Sequence, residues 1–409
     1  MNRKKVEKIL ADTAYVRVSG TEEEKRCAAY LKELCEELGL DARMETFPVN
    51  TYTVEQESLT VMGQSIPCRS YYGCEKASVS AELYYLSSNT PEALKRCRGK
   101  IVLLDGGMPQ DQYDLLVENG AKGFITYSGT LHLPDRDIDR KWIDFETEPG
   151  KGIPGVNIHA CDAARIADLS GESAQIVLSQ TAHISQSQNV VLDLEGETEE
   201  TIVISAHYDS TPFSVGAYDN MSGCLVLLYL AEYFSAKPRR RRIRLLWCGS
   251  EEPCLVGSLI YCERHKEEFE NVILNVNLDM LGCVMGEMVA FSSANEEIRD
   301  FLQEFLDKSS DPGSVRYGIR ASDSNSFVHY GVPSVSFARY APEGMAPIHT
   351  RYDTAAVMSA GRLLKDAALV AEFTEYMANE EKFSFPLTIS EKIRSDVEKY
   401  LKGRPRAIR

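Results

Sequence analysis

The chain has 409 residues, 44% hydrophobic and 26% charged, the balance of a globular protein with room for two domains. Its formal net charge of −16 argues against nucleic acid or an anionic membrane surface as partner. No apolar run approaches the length of a membrane span, and the opening MNRKKVEKIL lacks the apolar centre of a secretory leader. The 11 cysteines lie scattered without close pairing and read as reduced thiols, so a cytoplasmic protein is expected.

The first patterned stretch, GTEEEKRCAAYLKELCEELGL, predicts a helix. Thr21 is its N-cap, acids fill its first turn, Gly39 ends it, and Ala28, Leu31, Leu34, Cys35 and Leu38 share one face. ARMETFPV then alternates as a strand does. Residues 53–183 have another texture, with short strands, turns and few long helices, and read as an inserted, small β-rich module. Within it GKIVLLDGG is a buried strand leaving a turn. YDLLVENGAKGFITY is a helix, a glycine stop and a strand, and GIPGVNIHACDAARIADL is a strand followed by a helix. The remaining chain, 1–52 with 184–409, forms the main domain.

From about residue 185 apolar strands alternate with helical patterns. The strands are NVVLDLEG, TIVISAHYD, RIRLLWCGS, VILNVNLDM, MVAFSS and VPSVSFAR. This pattern predicts an α/β fold with a mostly parallel central sheet covered by helices on both faces. Ligands of such sheets gather at the carboxyl ends of the strands. There the sequence places His207 and Asp209 after one strand, Glu251 and Glu252 after the next, and Asp279 after a third; a loop beyond the last strand leads to His349.

Asp219, Glu251, Glu252 and Asp279 would thus bring four negative charges to one buried edge. Unpaired buried carboxylates cost several kcal/mol each, so they must be protonated, paired or neutralised by cations. Two divalent ions would supply the charge and also explain the histidines. A carboxylate and imidazole set without thiolate suits catalytic zinc, with cobalt or manganese also accommodated.

The stretches AHYDS, GAYDNMSGCLVLLYLA, GSEEPCLVGSLIY, NLDMLG, SDSNSF and IHTRYDT resemble, in order, the zinc-dependent exopeptidases related to bacterial leucyl aminopeptidase, aminopeptidase Y and glutamate carboxypeptidase. GKIVLLDGG, GAKGFITYSG and IPGVNI make the insert similar to a protease-associated domain. The resemblance covers roughly residues 18–375. It implies that His207 and Asp279 bind one zinc, that Glu252 and His349 bind the other, and that Asp219 bridges them. It also implies Glu251 as general base, Asp209 as the residue that orients His207, and a cis bond between Asp219 and Asn220. The activity implied is hydrolysis of peptide bonds at a chain terminus, an aminopeptidase above all, with a metal-bridging water as nucleophile. The substrate would be a peptide or a small acyl amide. The insert would make no metal contact and would border the substrate cleft. The alternatives are a carboxypeptidase or deacylase on the same scaffold, a single-zinc glutaminyl cyclase, and an inactive binding homologue. Three departures bear on specificity, one of them Ser324 and Asn325, which follow the SD motif where relatives often have His. Ile348 stands where some relatives carry an oxyanion-donating Tyr, and Cys254 stands where Gly is usual. The motifs name neither the preferred terminal residue, nor the native metal, nor the oligomeric state.

Other polar residues are read as framework. His132, His159, His183, His265 and His329 lack matched partners. Arg320, Arg339 and Arg351 flank site motifs as framing ion pairs, with one of them a candidate reader of a substrate carboxylate. The acids of DRDIDRKWIDFE have calcium-loop spacing, but Arg140 sits where such a loop needs Gly.

Overall fold

A computed structural model describes residues 1–133, 135–143, 145, 147 and 150–402. The chain divides into two compact units, Met1–Val49 with Ser185–Lys402, and Asn50–Ile184.

In the first unit the sheet runs, in spatial order, Ser314–Tyr317, Glu287–Ser293, Ser334–Tyr340, Val272–Leu278, Thr198–His207, Arg241–Cys248 and the end of Ser173–Leu194. Four neighbours, from Ser334–Tyr340 to Arg241–Cys248, are parallel. Glu287–Ser293 and Val190–Leu194 flank them antiparallel. Alternation along each strand sorts side chains to two faces. Ile202, Ile204, Leu274, Val276 and Leu245 join the core built with Ser222–Phe234 and Ala360–Asn379. Val203, Leu246 and Cys248 pack with Tyr261 and Phe327 of the helices Val256–His265 and Ser324–His329. The expected helix-covered parallel sheet is therefore present, and its carboxyl ends define one edge.

The helix Glu22–Glu36 begins where its cap requires, with Thr21 Oγ1 accepting from Glu24 N at 3.3 Å. One helix and one strand of this unit are absent from the sequence reading. The helix Arg3–Asp12 is masked by its charge, although Val6, Ile9 and Leu10 are buried at helical spacing. The strand Ser314–Tyr317 is short and only half-buried. The C-terminal helix Glu391–Leu401 is docked, with Ile393 and Val397 packed on Val328.

The second unit has its own core around Leu83, Val102, Phe124, Val156 and Ile176. Ala77–Leu86, Lys100–Leu104, Gly123–Ser128 and Gly155–His159 lie parallel in that order, with Cys68–Ser70 and residues Ser173–Leu178 antiparallel at either end. Among the described residues its helices are short, at most 9 residues. The expectation of short strands fails for Arg43–Val61 and Ser173–Leu194, of 19 and 22 residues. Their exposed stretches, such as 181–186, bury no face, and the apolar residues there, Ala182 and Ile184, are too few to mark a long strand. Arg140 is bound to Glu57 through both terminal nitrogens, at 2.7 and 2.9 Å. Asp144 and Glu146, the acids completing the calcium-type spacing, lie outside the described residues.

Candidate active site

The register of the central strands builds one half of the site. Asn277 pairs with Ser205, so two residues further on Asp279 stands beside His207. Both are buried, at 4% and 3% exposure. Cys248 pairs with His207 across the other neighbour, and three residues later the chain reaches Glu251 and Glu252. Asp219 arrives on a kinked turn, Ala217–Met221, that opens the helix Ser222–Phe234 and contains the cis bond between Asp219 and Asn220.

Asp219 faces both histidines, one with each oxygen. Its Oδ1 lies 3.1 Å from His207 Nε2 and its Oδ2 3.2 Å from His349 Nε2. Around His207 Nε2 stand Asp279 Oδ1 at 3.8 Å and Glu251 Oε2 at 4.0 Å. His349 Nε2 lies 3.3 Å from Glu252 Oε2. Among the described residues two groups have donor atoms close enough to share an ion, His207–Asp219–Asp279 and Asp219–Glu252–His349. They overlap at Asp219. Every member belongs to the first unit.

The donor set fits divalent cations. Buried Glu252 Oε1 and Asp279 Oδ1 have no hydrogen-bond partner in the protein, which leaves polar atoms aimed at a ligand of positive charge. Burial pushes the Glu251 carboxyl well above its ordinary value. Burial likewise raises Glu252 to about 8, with His349 opposing and Asp219 reinforcing. Burial would raise Asp219 as well, yet His207 and His349 hold it well below the usual range. Burial disfavours a charged His207, but Glu251, Asp209, Asp219 and Asp279 raise it well above its usual value. Burial thus dominates at the two glutamates, whereas pairing between imidazoles and carboxylates sets the directions at His207 and Asp219.

Asp209 lies 3.4 Å from His207 Nδ1. It also receives Glu251 N at Oδ1 (2.9 Å) and Glu252 N at Oδ2 (3.1 Å), so it organises the glutamate pair as well as neighbouring the histidine. Asn220 ties the Asp219 turn to the Asp279 strand. Its Nδ2 donates to Leu278 O at 2.9 Å, and its Oδ1 accepts from Met280 N at 3.2 Å and Gly223 N at 3.0 Å. A Cβ on Gly223 would meet Leu278 O at 2.4 Å, so only glycine fits that crossing. Asp353 accepts from Tyr218 N and Asp219 N at 2.7 and 3.1 Å. Arg320 pairs with Asp279 Oδ2 at 3.0 Å and donates to Asp279 O at 3.2 Å.

The sequence reading assigned no role to Asn220 or Asp353, because a side chain that serves a distant backbone leaves no spacing pattern. It did read Arg320 and Arg339 as framing residues, and both are ion-paired, Arg339 with Asp366 at 2.7 Å. His265 pairs with Glu45, and His159 caps a helix. Left-handed backbone marks the ligand-bearing turns: Ser250 (φ 53°), Cys254 (φ 80°), Leu255 (φ 61°), Met280 (φ 62°) and His349 (φ 59°). Such strain gathers at functional sites. It gives a physical reason why Gly would suit the place of Cys254.

A parallel α/β sheet with paired acidic and imidazole ligands at its carboxyl edge defines a class of metallohydrolase. Residues 189–374 match the model of Peptidase family M28. Along most of its length the chain is similar to the aminopeptidase YwaD of Bacillus subtilis strain 168, 26% identical over 418 residues, covering 94% of this chain and 86% of the relative. It is also similar to carboxypeptidase Q of Xenopus laevis, 25% identical over 368 residues, covering 80% and 75%. Among solved structures, the zinc aminopeptidase BSAP of Bacillus subtilis shares the fold with a TM-score of 0.77 at 24% identity, over 96% of this chain and 98% of that one. The aminopeptidase of Aneurinibacillus sp. strain AM-1 does so with a TM-score of 0.73 at 23% identity, over 95% and 96%.

Proposed function

We propose that the protein is a di-zinc exopeptidase, an aminopeptidase, with His207, Asp219 and Asp279 on one ion and Asp219, Glu252 and His349 on the other. The observation that carries this reading is the overlap of two complete donor groups at Asp219. When bound, divalent ions there would polarise a scissile carbonyl and acidify a water. Cobalt or manganese fits the same donors.

Glu251 reaches the same space without belonging to either donor group. Its raised affinity for a proton matches a general base that takes a proton and returns it to a leaving amine. Asp209 holds the amides of both glutamates, so the acid pair keeps its orientation as protons move. The acidic edge suits a substrate ammonium group. Arg320, a guanidinium that could have read a substrate carboxylate, is committed to Asp279. This favours an aminopeptidase over a carboxypeptidase or deacylase. The complete set of five donors disfavours a single-zinc cyclase and an inactive homologue.

The unit Asn50–Ile184 is read as a protease-associated-like insert, supported by its separate core and the motifs quoted above. Cytoplasmic residence is supported by the eleven free cysteines, most of them buried. No helix among the described residues is long and apolar enough to cross a membrane. The test of the reaction is a panel of free and N-blocked peptides with added zinc, cobalt or manganese. Cleavage of the free N-terminal residue is expected, and cleavage only of N-blocked substrates would move the reading to a carboxypeptidase or deacylase.

A further inference from the structure

Three consecutive amides lead into and through the glutamate pair, and each is received by a buried carboxylate. Asp209 takes those of Glu251 and Glu252. The amide of Ser250 goes to Glu24 Oε1 at 3.0 Å, a contact spanning 226 residues of sequence. Glu24 belongs to the first turn of the helix Glu22–Glu36 and is fully buried, at 0% exposure. It is the only glutamate among the buried charged residues of the described chain, which makes its place there costly unless its bonds are complete. They are complete. Oε1 also accepts from Ser250 Oγ at 3.1 Å and Ser187 Oγ at 2.8 Å, and Oε2 accepts from Gly20 N at 2.7 Å. Ser19 Oγ adds a contact to Ser250 Oγ at 2.5 Å.

Ser250 is held where few side chains rest. Its φ of 53° is left-handed, a conformation that costs roughly 1–3 kcal/mol and persists only where the surroundings impose it. The same N-terminal segment grips the other ligand-bearing loop. Buried Arg17 donates to the carbonyls of Tyr208 (2.6 Å), Val215 (2.6 Å) and Gly216 (3.1 Å), which flank Asp209 and lead to Asp219.

We infer that Glu24 is a positioning residue for the reaction: by holding Ser250 N and Oγ it sets the turn from which Glu251 projects. The inference rests on the role proposed above for Glu251. Glu24 touches neither substrate nor ion and acts through the backbone. Its four partners are all donors, which sets the ranking of its variants. Glu24→Ala removes every acceptor. Glu24→Gln can keep one oxygen on Ser250 and loses chiefly the contact with Gly20.

The test compares Glu24→Ala and Glu24→Gln with the unaltered full chain, reading zinc stoichiometry, kcat, KM and hydrogen exchange of the 249–254 segment. Glu24→Ala is expected to bind two zinc ions and keep KM, with kcat about 10- to 100-fold lower, the cost of displacing a catalytic group by about 1 Å. The amides of 250–252 should exchange about tenfold faster, and Glu24→Gln should restore most of both. If Glu24→Ala does not fold, Glu24→Asp, which draws the carboxylate back by one methylene, carries the test with the same readouts and direction. Unchanged exchange, or faster exchange with kcat within twofold of the unaltered protein, overturns the inference. Faster exchange in Glu24→Ala together with near-normal turnover of Glu251→Gln would instead sink the role of Glu251 and leave the hold of Glu24 on the turn standing.

Discussion

His207 and Asp279 stand at the ends of neighbouring parallel strands, whereas Glu252 and His349 stand on turns. The strand-borne pair is buried and its spacing follows from ladder register. The turn-borne pair depends on left-handed residues, Ser250 before Glu252, Cys254 after it and His349 itself, and the His349 side chain is 44% exposed. Asp219 joins the halves with one oxygen toward each. The difference teaches that one half of the centre is a property of the sheet. In the other half, the turn that carries Glu252 is held by hydrogen bonds from remote segments, through Asp209 and Glu24.

The largest expected effect lies on the turn. Glu251→Gln should lower kcat by about 10²- to 10⁴-fold, roughly 3–5 kcal/mol of barrier, with both ions retained, because no donor is lost. Near-normal turnover with the metals in place would refute the assigned base.

Next comes the stability of the metal-free protein. His207 is a buried imidazole enclosed by carboxylates, and removing one partner from such a buried polar cluster costs about 3 kcal/mol or more. Half-exposed His349 should cost under about 1 kcal/mol, given solvent screening. Chelator-treated His207→Ala and His349→Ala, compared by urea unfolding, should therefore differ sharply, and equal losses would erase the distinction between the halves.

A smaller effect sharpens it. Arg320 touches Asp279, so Arg320→Gln should weaken one ion about 10- to 100-fold and leave the other unchanged in a zinc titration. Uniform weakening of both would show that Arg320 acts on the fold instead.

The smallest effect lies outside the centre. Hydrogen bonding to Glu45, at 2.9 Å, raises the His265 pKa above 6.5. A raised histidine stabilises the fold fully below its unfolded value, and that contribution is lost as pH rises through the folded value. His265→Gln should cost under about 1 kcal/mol at pH 6 and less at pH 9; a pH-independent cost would contradict the pairing.

The same contrast explains what the sequence revealed. Parallel strands are near-continuous apolar runs, so a polar residue at the end of one, such as His207 or Asp279, is conspicuous. His349 lies on no strand, and its place at the centre came from the resemblance of IHTRYDT to a family motif. Glu24 looked like one more acid in a helix first turn, where acids are common. Nothing local marks it as the acceptor for an amide 226 residues away. Arg17 and Asp353, and Asn220 in its bonds to Leu278 and Met280, went unread for the same reason: they serve backbone groups distant in sequence, and a single chain carries no record of such partners.

The central claim is one centre with two ions joined by Asp219. Zinc titration of the metal-free protein, followed by calorimetry, tests it most directly. Two equivalents should bind to the unaltered chain, one to His349→Ala, and neither ion tightly to Asp219→Ala. A single equivalent in the unaltered chain, unaffected by His349→Ala, would contradict the account.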